Sequence, residues 1–262
     1  MKRLIYVMAI LGLFAFSKST FGQLLDEKDV TITMDLQPIL QLNMVGSDQL
    51  DFVFDDIRKY YAGITRYGAT QLKVSSTVNW DLYAVGYSMS GTNFEQVVKY
   101  GAGTGLNSID GIKCHALEIH QTPNNAQSTG STGLWADYDA TFSLVTAGTT
   151  NAGINGIYSS ATPYTAPALT EKYIFGHKVE GSGSCGLGGS YLTATNAVTG
   201  TMTGVGTSYY FILDYRILPG LPVVFPMSGT NANAQDGLTA GSYAQPGVYQ
   251  MNVKYIIVED LP

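Results

Sequence analysis

The chain has 262 residues, with 45% apolar and 13% charged content and a net charge of −6. So little charge beside so much apolar material excludes a disordered polyelectrolyte. The acidic sign excludes a nucleic-acid binder, because phosphates demand a basic footprint.

The chain opens with Lys2 and Arg3, then the apolar run Leu4–Phe16, then polar SKSTFG. That order is the pattern of a cleavable signal peptide, with the cut between Gly22 and Gln23. The apolar run is shorter than the roughly 20 residues that a membrane span needs. The expectation is therefore a signal peptide over residues 1–22, no transmembrane span in the mature chain, and export to the periplasm, the cell surface or the extracellular space. Cleavage removes Lys2, Arg3 and Lys18 and no acid, leaving 11 basic against 20 acidic residues and a charge of −9. Residues 23–262 are expected to form a single domain, since no charge-rich or Pro-rich linker divides them.

The first patterned stretch, VTITMDLQPILQLNM (Val30–Met44), is apolar at every even position. A period of two marks a strand with one face to bury. Pro38 lacks an N–H and suits a bend or an edge. The reading is two short strands, Val30–Leu36 and Leu40–Met44, kinked at Pro38. The first half either closes the chain's own sandwich or is donated to a neighbouring copy by strand addition. In that second case Val30, Ile32, Met34 and Leu36 are the donated side chains.

Further strands are expected at Gln49–Phe54, Asp56–Ile64, Thr70–Val78 and Trp80–Tyr87, with a short helix over Asn93–Tyr100. Leu72, Val74, Ser76 and Val78 share one face of their strand; Trp80, Leu82 and Ala84 share one face of the next. Later strands are expected at Lys113–His120, Ala140–Val145, Lys172–Val179, Ser208–Leu218 and Val248–Val258. Long Gly-, Ser- and Thr-rich stretches separate them, notably 101–111, 123–133, 146–170 and 181–207. Many short strands with Gly, Pro and Asn turns give an all-β fold class, a β-sandwich elaborated with long loops.

Cys114 and Cys185 are the two cysteines, and an oxidising compartment predicts a disulfide between them, the alternative being two reduced buried thiols. Three histidines offer little to a metal: Glu118 and His120 share a strand face, but a zinc site needs more converging ligands. Asp137 and Asp139, with loop carbonyls, are candidates for a calcium site, since Ca²⁺ takes six to eight oxygens; as loop carboxylates they need no metal, and no metal is assigned. GSGSCG (Gly181–Gly186) matches a phosphate-loop pattern by letter but no helix pattern follows it. No nucleophile elbow is present, and no cofactor is implied. Among the tyrosines, Tyr158, Tyr164 and Tyr191 are candidates for a ligand platform or a subunit interface, because Tyr is apolar along its ring and polar at its tip. For Tyr209–Tyr210 one ring is expected in the core and one in solvent.

Set in order, Phe52 and Phe54, then Val74, Ser76, Thr77, Trp80, Asp81 and Leu82, and finally Gly247, Tyr249, Val253 and Tyr255, follow F-x-F, V-x-S-T-x-x-W-D-L and G-x-Y-x-x-x-V-x-Y patterns. That series resembles secreted fimbria-like surface proteins of Bacteroidota and similar bacteria. It covers roughly the first 65 mature residues and the last 15. The resemblance implies an Ig-like sandwich at the cell surface, a structural filament or adhesion subunit without catalytic residues. Its partners would be copies of itself or another surface protein. The alternative is a carbohydrate-binding adhesin module that takes a glycan on its Tyr-, Asn- and Gly-rich loops.

Overall fold

The chain reverses between Ser76 and Trp80, and the strands on either side of that turn organise two sheets. The Ser76 hydroxyl ties the turn, donating to the Val78 carbonyl at 2.6 Å and accepting its N–H at 3.0 Å. The computed structural model describes residues 28, 31–100, 108–109, 112–125, 136–142, 155–177, 185–192, 209–217, 243–244 and 246–260. Among them the strands are β1 (Leu40–Gly46), β2 (Ile64–Ser76), β3 (Trp80–Tyr87), β4 (Glu95–Lys99), β5 (Ser108–Ile109), β6 (Leu117–Thr122), β7 (Ala136–Asp137), β8 (Lys172–Tyr173), β9 (Gly189–Ser190), β10 (Tyr210–Ile217), β11 (Tyr243–Ala244), β12 (Gly247–Gln250) and β13 (Asn252–Glu259). The fold class is all-β and sandwich-like, as the alternation predicts.

The first sheet runs β1-β2-β10-β6, antiparallel throughout. Short β9 pairs with the end of β2 that β10 leaves unpaired. The second sheet is built on β3 and β13, antiparallel from Trp80 opposite Glu259 to Tyr87 opposite Asn252. The same ribbon continues as β4 against β12, with Ser88–Phe94 looped out of one side only. Two short parallel pairs, β5–β11 and β7–β8, lie outside both sheets.

Period-two patterning decides which side chains meet between the sheets. Leu72 and Val74 of β2 and Phe211 and Leu213 of β10 are fully buried, and they pack with Trp80, Leu82 and Ala84 of β3 in one core. Each large apolar side chain buried there contributes about 1.5–3 kcal/mol. Aromatic rings fill its centre: Trp80 lies 5.1 Å from Phe175, and Phe175 lies 5.8 Å from Phe211, both tilted. Tyr209 is buried and Tyr210 faces outward, as expected of adjacent strand residues.

β3 differs from an ordinary sandwich strand in being buried on both faces. Tyr83 and Val85, on the face away from the main core, are covered by Tyr173, with Tyr158 and Ala166 beside it. The edge of β3 opposite β13 is closed by three irregular stretches instead of a strand. Trp80 bonds to Gly186, Leu82 to Ile174 and Phe175, and Gly86 to Tyr158 and Ser160 through backbone groups. Such close approach requires glycine at two places. Gly176 has a φ of 74°, and a Cβ there would run into the Asp81 carboxylate. At Gly186 a Cβ would run into the Trp80 indole.

Several expected elements take another form. Asp56–Ile64 is not a strand but contains a helix, α1 (Ile57–Ala62), whose N-cap Asp56 accepts the Arg58 N–H at 2.9 Å. Gly63 closes it, donating to Lys59 O, and Lys59 pairs with Asp55. Local capping outweighs the strand pattern here. Conversely, the helix expected over Asn93–Tyr100 is strand β4, held by its ladder with β12. Gln49–Phe54 forms no ladder, although Leu50, Phe52 and Phe54 still turn towards the core. Lys113–His120 begins as a 3₁₀ turn, Cys114–Ala116, and becomes strand at Leu117. Of Lys172–Val179, Lys172–Tyr173 is strand, the rest of 172–177 is irregular, and 178–179 lie outside the described residues. Of Ala140–Val145, residues 140–142 are irregular and 143–145 lie outside the described residues.

The expected strand over Val30–Leu36 does not form within the chain. Thr31–Ile39 has no regular secondary structure, and Val30 lies outside the described residues. The ladder starts immediately after Pro38: Ile39 O accepts the Thr77 N–H at 2.8 Å, and Ile39 N–H donates to the Thr77 hydroxyl at 2.8 Å.

The expected disulfide is also absent, since Cys114 and Cys185 are both buried but not bonded to each other. Their anchors explain why. Cys185 precedes Gly186, which is paired with Trp80 at the start of β3. Cys114 N–H bonds Thr92 O, and its neighbour Lys113 bridges Asn93, whose carbonyl accepts the Ser88 hydroxyl beyond the end of β3. An eight-residue strand is on the order of 20 Å long, whereas a disulfide needs Cα atoms roughly 4.4–6.8 Å apart. Burial pushes the Cys114 thiol up to about 12.

Candidate assembly edges and surface tyrosines

Among the described residues each sheet ends in a strand that ladders with one neighbour only, β1 in the first and β13 in the second, and these two strands lie near each other without a ladder between them. Their backbone phase follows from the ladders. Trp80, Leu82 and Gly86 turn their backbone groups away from β13, towards Gly186, Phe175 and Tyr158. The alternate residues of β3 therefore bond β13 through Lys254, Ile256 and Val258. That leaves the N–H and C=O groups of Val253, Tyr255 and Ile257 facing the open edge, while their half-buried side chains pack on the core. In β1 the bond between Ile39 and Thr77 sets the same alternation, so Leu40, Leu42 and Met44 turn their backbone groups outward.

Ile32, Met34 and Leu36 are 86%, 74% and 81% exposed in an irregular segment. Three large apolar side chains in period-two phase, left in water, are an unmet demand for burial of several kcal/mol.

The three candidate tyrosines do not converge. Tyr158 is half-buried against Tyr83, Val85 and Tyr173, and its N–H donates to the Tyr138 hydroxyl at 3.2 Å. Tyr164 is 70% exposed and lies over Lys254, whose ammonium is 4.6 Å from its ring and 5.7 Å from that of Tyr87. Tyr191 follows β9, its N–H bonded to Val74 O of β2 and its ring beside Lys73. Lys73 and Lys254 leave no mark in the composition of the loops, because each is a single cation inside a strand. The alternation Leu72-Lys73-Val74 already places Lys73 outward.

Under the far end of the first sheet lies a set of buried ionic groups. Glu118, 0% exposed, takes a hydrogen bond from Arg216 Nε at 2.6 Å and a second contact from its Nη2, and accepts the Asn155 N–H at 3.3 Å. Arg216 lies 4.6 Å from the ring of Phe142. His120 pairs with Asp214 at 3.0 Å, so Glu118 and His120 share a face as expected, yet each is held by its own partner on β10.

Asp137 accepts the N–H groups of Asn125 at 2.7 Å and Asp139 at 3.4 Å. Burial and a hydrogen bond with the Asp139 side chain raise its carboxyl to about 6. Beyond these two calcium candidates, no group of three or more His, Cys, Asp or Glu side chains converges among the described residues. Asp81 is buried near Asp260 and accepts the His177 N–H at 3.3 Å; burial, then the Asp260 charge, raises it to about 8.

Among the described residues no helix is long and apolar enough to cross a membrane. No protein-family model matches the sequence, and no curated protein matches it significantly.

Proposed function

We propose that the chain is a non-enzymatic surface subunit, exported through its leader, that assembles with copies of itself by β-strand addition. The observation that carries this reading is the segment Thr31–Gln37: its apolar residues alternate as a strand's would, but they are exposed and the segment forms no strand. In an assembly this segment of one copy lies along the open edge of β13 in the next. Ile32, Met34 and Leu36 then cover the flank of the core beside Val253, Tyr255 and Ile257, and the outward backbone groups of β13 gain partners. Exposed edges of this kind are receptive to added strands. The fimbria-like resemblance of the terminal motifs points to the same role.

The test is the mass distribution of the mature chain by analytical ultracentrifugation, with negative-stain microscopy. Oligomers or filaments are expected. Converting Ile32, Met34 and Leu36 together to Lys should give a folded monomer. Val253→Pro, which removes one outward N–H, should weaken assembly in the same way without unfolding the chain. A wild-type chain that stays monomeric, or triple-Lys assemblies equal to wild type, would overturn the reading.

A further inference from the structure

We propose that the outer face of the first sheet carries a binding site for an acidic glycan, centred on Lys73; this does not rest on self-assembly. Two chain segments meet there along β2. Val74 N–H bonds Tyr209 O at 2.8 Å, and Val74 O accepts the Tyr191 N–H at 3.0 Å. β10 therefore starts, and β9 ends, at the same residue of β2. Tyr210 pairs directly with Lys73 and presents its ring on the outward face. Tyr191 brings a second ring from the β9 side, and the Lys73 ammonium lies 5.7 and 5.4 Å from the centroids of Tyr191 and Tyr210 respectively.

Neighbouring bonds fix this arrangement. The Tyr210 hydroxyl donates to Gln71 Oε1 at 2.6 Å, and the Ser75 and Ser190 hydroxyls meet at 2.7 Å. Gln71, Lys73, Ser75, Tyr191 and Tyr210 are all half-buried, so their side chains are ordered yet reachable from solvent. Lys73 forms no ion pair among the described residues, although acidic residues outnumber basic ones in the chain by 20 to 14. Its ammonium is held by ring faces and keeps its capacity for an anion.

That combination selects the ligand. Aromatic faces pack on the C–H faces of pyranose rings, and the Gln71 amide nitrogen keeps donors for sugar hydroxyls. The ammonium matches a carboxylate, as on a uronic acid, by a charge-assisted hydrogen bond. Lys254 also sits between two tyrosines, but its ammonium already bonds the Tyr164 hydroxyl at 3.3 Å. It serves as the internal control.

The experiment titrates the mature protein with a galacturonic acid oligosaccharide by calorimetry, alongside its methyl ester as the uncharged counterpart. The acid form should bind and the ester should bind at least about tenfold more weakly, the worth of one charge-assisted bond. Lys73→Met should cost a similar factor, Tyr191→Ala should also weaken binding, and Lys254→Met should leave it unchanged. Lys73→Gln replaces the methionine variant if that one fails to fold, as judged by its melting curve. No binding of the acid form, equal binding of the ester, full affinity in the Lys73 variant, or equal loss in the Lys254 variant would each overturn the proposal.

Discussion

Trp80 and Gly186 exchange both of their backbone hydrogen bonds, at 2.9 and 2.6 Å, and the indole Nε1–H of Trp80 donates to the next carbonyl, Leu187 O, at 3.0 Å. The glycine lies against the ring so closely that a Cβ would occupy the indole's own space. A poorly patterned Gly-rich stretch is thereby locked to the largest side chain of the core. Gly186→Ala should destabilise the protein by about 1–3 kcal/mol, the usual cost of forcing extra volume into a packed site. Urea unfolding followed by Trp fluorescence would measure it; an unchanged midpoint would mean that the loop does not seat on Trp80.

The buried pair Glu118–Arg216 makes a different kind of prediction. Glu118→Gln leaves Arg216 as a buried charge without its carboxylate, and Arg216→Met leaves Glu118 in the reverse position; either should cost about 3–5 kcal/mol. Combining Glu118→Gln with Arg216→Met in one chain should cost less than the two single losses together, because it removes both charges from the interior. Additive losses in denaturant unfolding would show that the two side chains act independently.

How far the fold was legible follows from where its bonds lie. Leu72, Val74, Trp80 and Leu82 announce their buried face because a ladder and one core fix a strict period of two. The covering of β3 by Ile157–Tyr158, Tyr173–Phe175 and Gly186 leaves no such trace, since single bridges impose no repeat on a sequence. The helix at Ile57 was hidden for the opposite reason: in six residues its caps outweigh its pattern. The exposed Ile32, Met34 and Leu36 show the limit most clearly. Alternation states that a face needs burial, but not in which molecule.

The cysteines give a direct chemical check. Denatured, unreduced protein should yield two titratable thiols per chain. In the native protein Cys114 should react slowly with a thiol reagent, because only the thiolate attacks and burial pushes this thiol up to about 12. A count of zero thiols in denaturant would mean that the two segments at opposite ends of β3 come together.

Asp81 sets a pH dependence whose sign is fixed. Burial, reinforced by the Asp260 charge, raises its carboxyl from the usual 3.8 to about 8, so the folded state holds a proton that the unfolded chain releases. Its contribution to stability is complete below about pH 4 and is lost as the pH rises through about 8. His177 works in the opposite sense: burial lowers it, so stability falls as pH drops below its ordinary 6.5. The clean window is therefore about pH 6.5 to 8.5, where the decline due to Asp81 has a slope of at most about 1.4 kcal/mol per pH unit. Asp81→Asn retains an oxygen for the His177 N–H but no titrating proton, so its stability should decline less across that window. The difference between the two denaturation series subtracts Cys114, Lys172 and every other group common to both proteins. Parallel series would show that Asp81 is ionised in the folded chain.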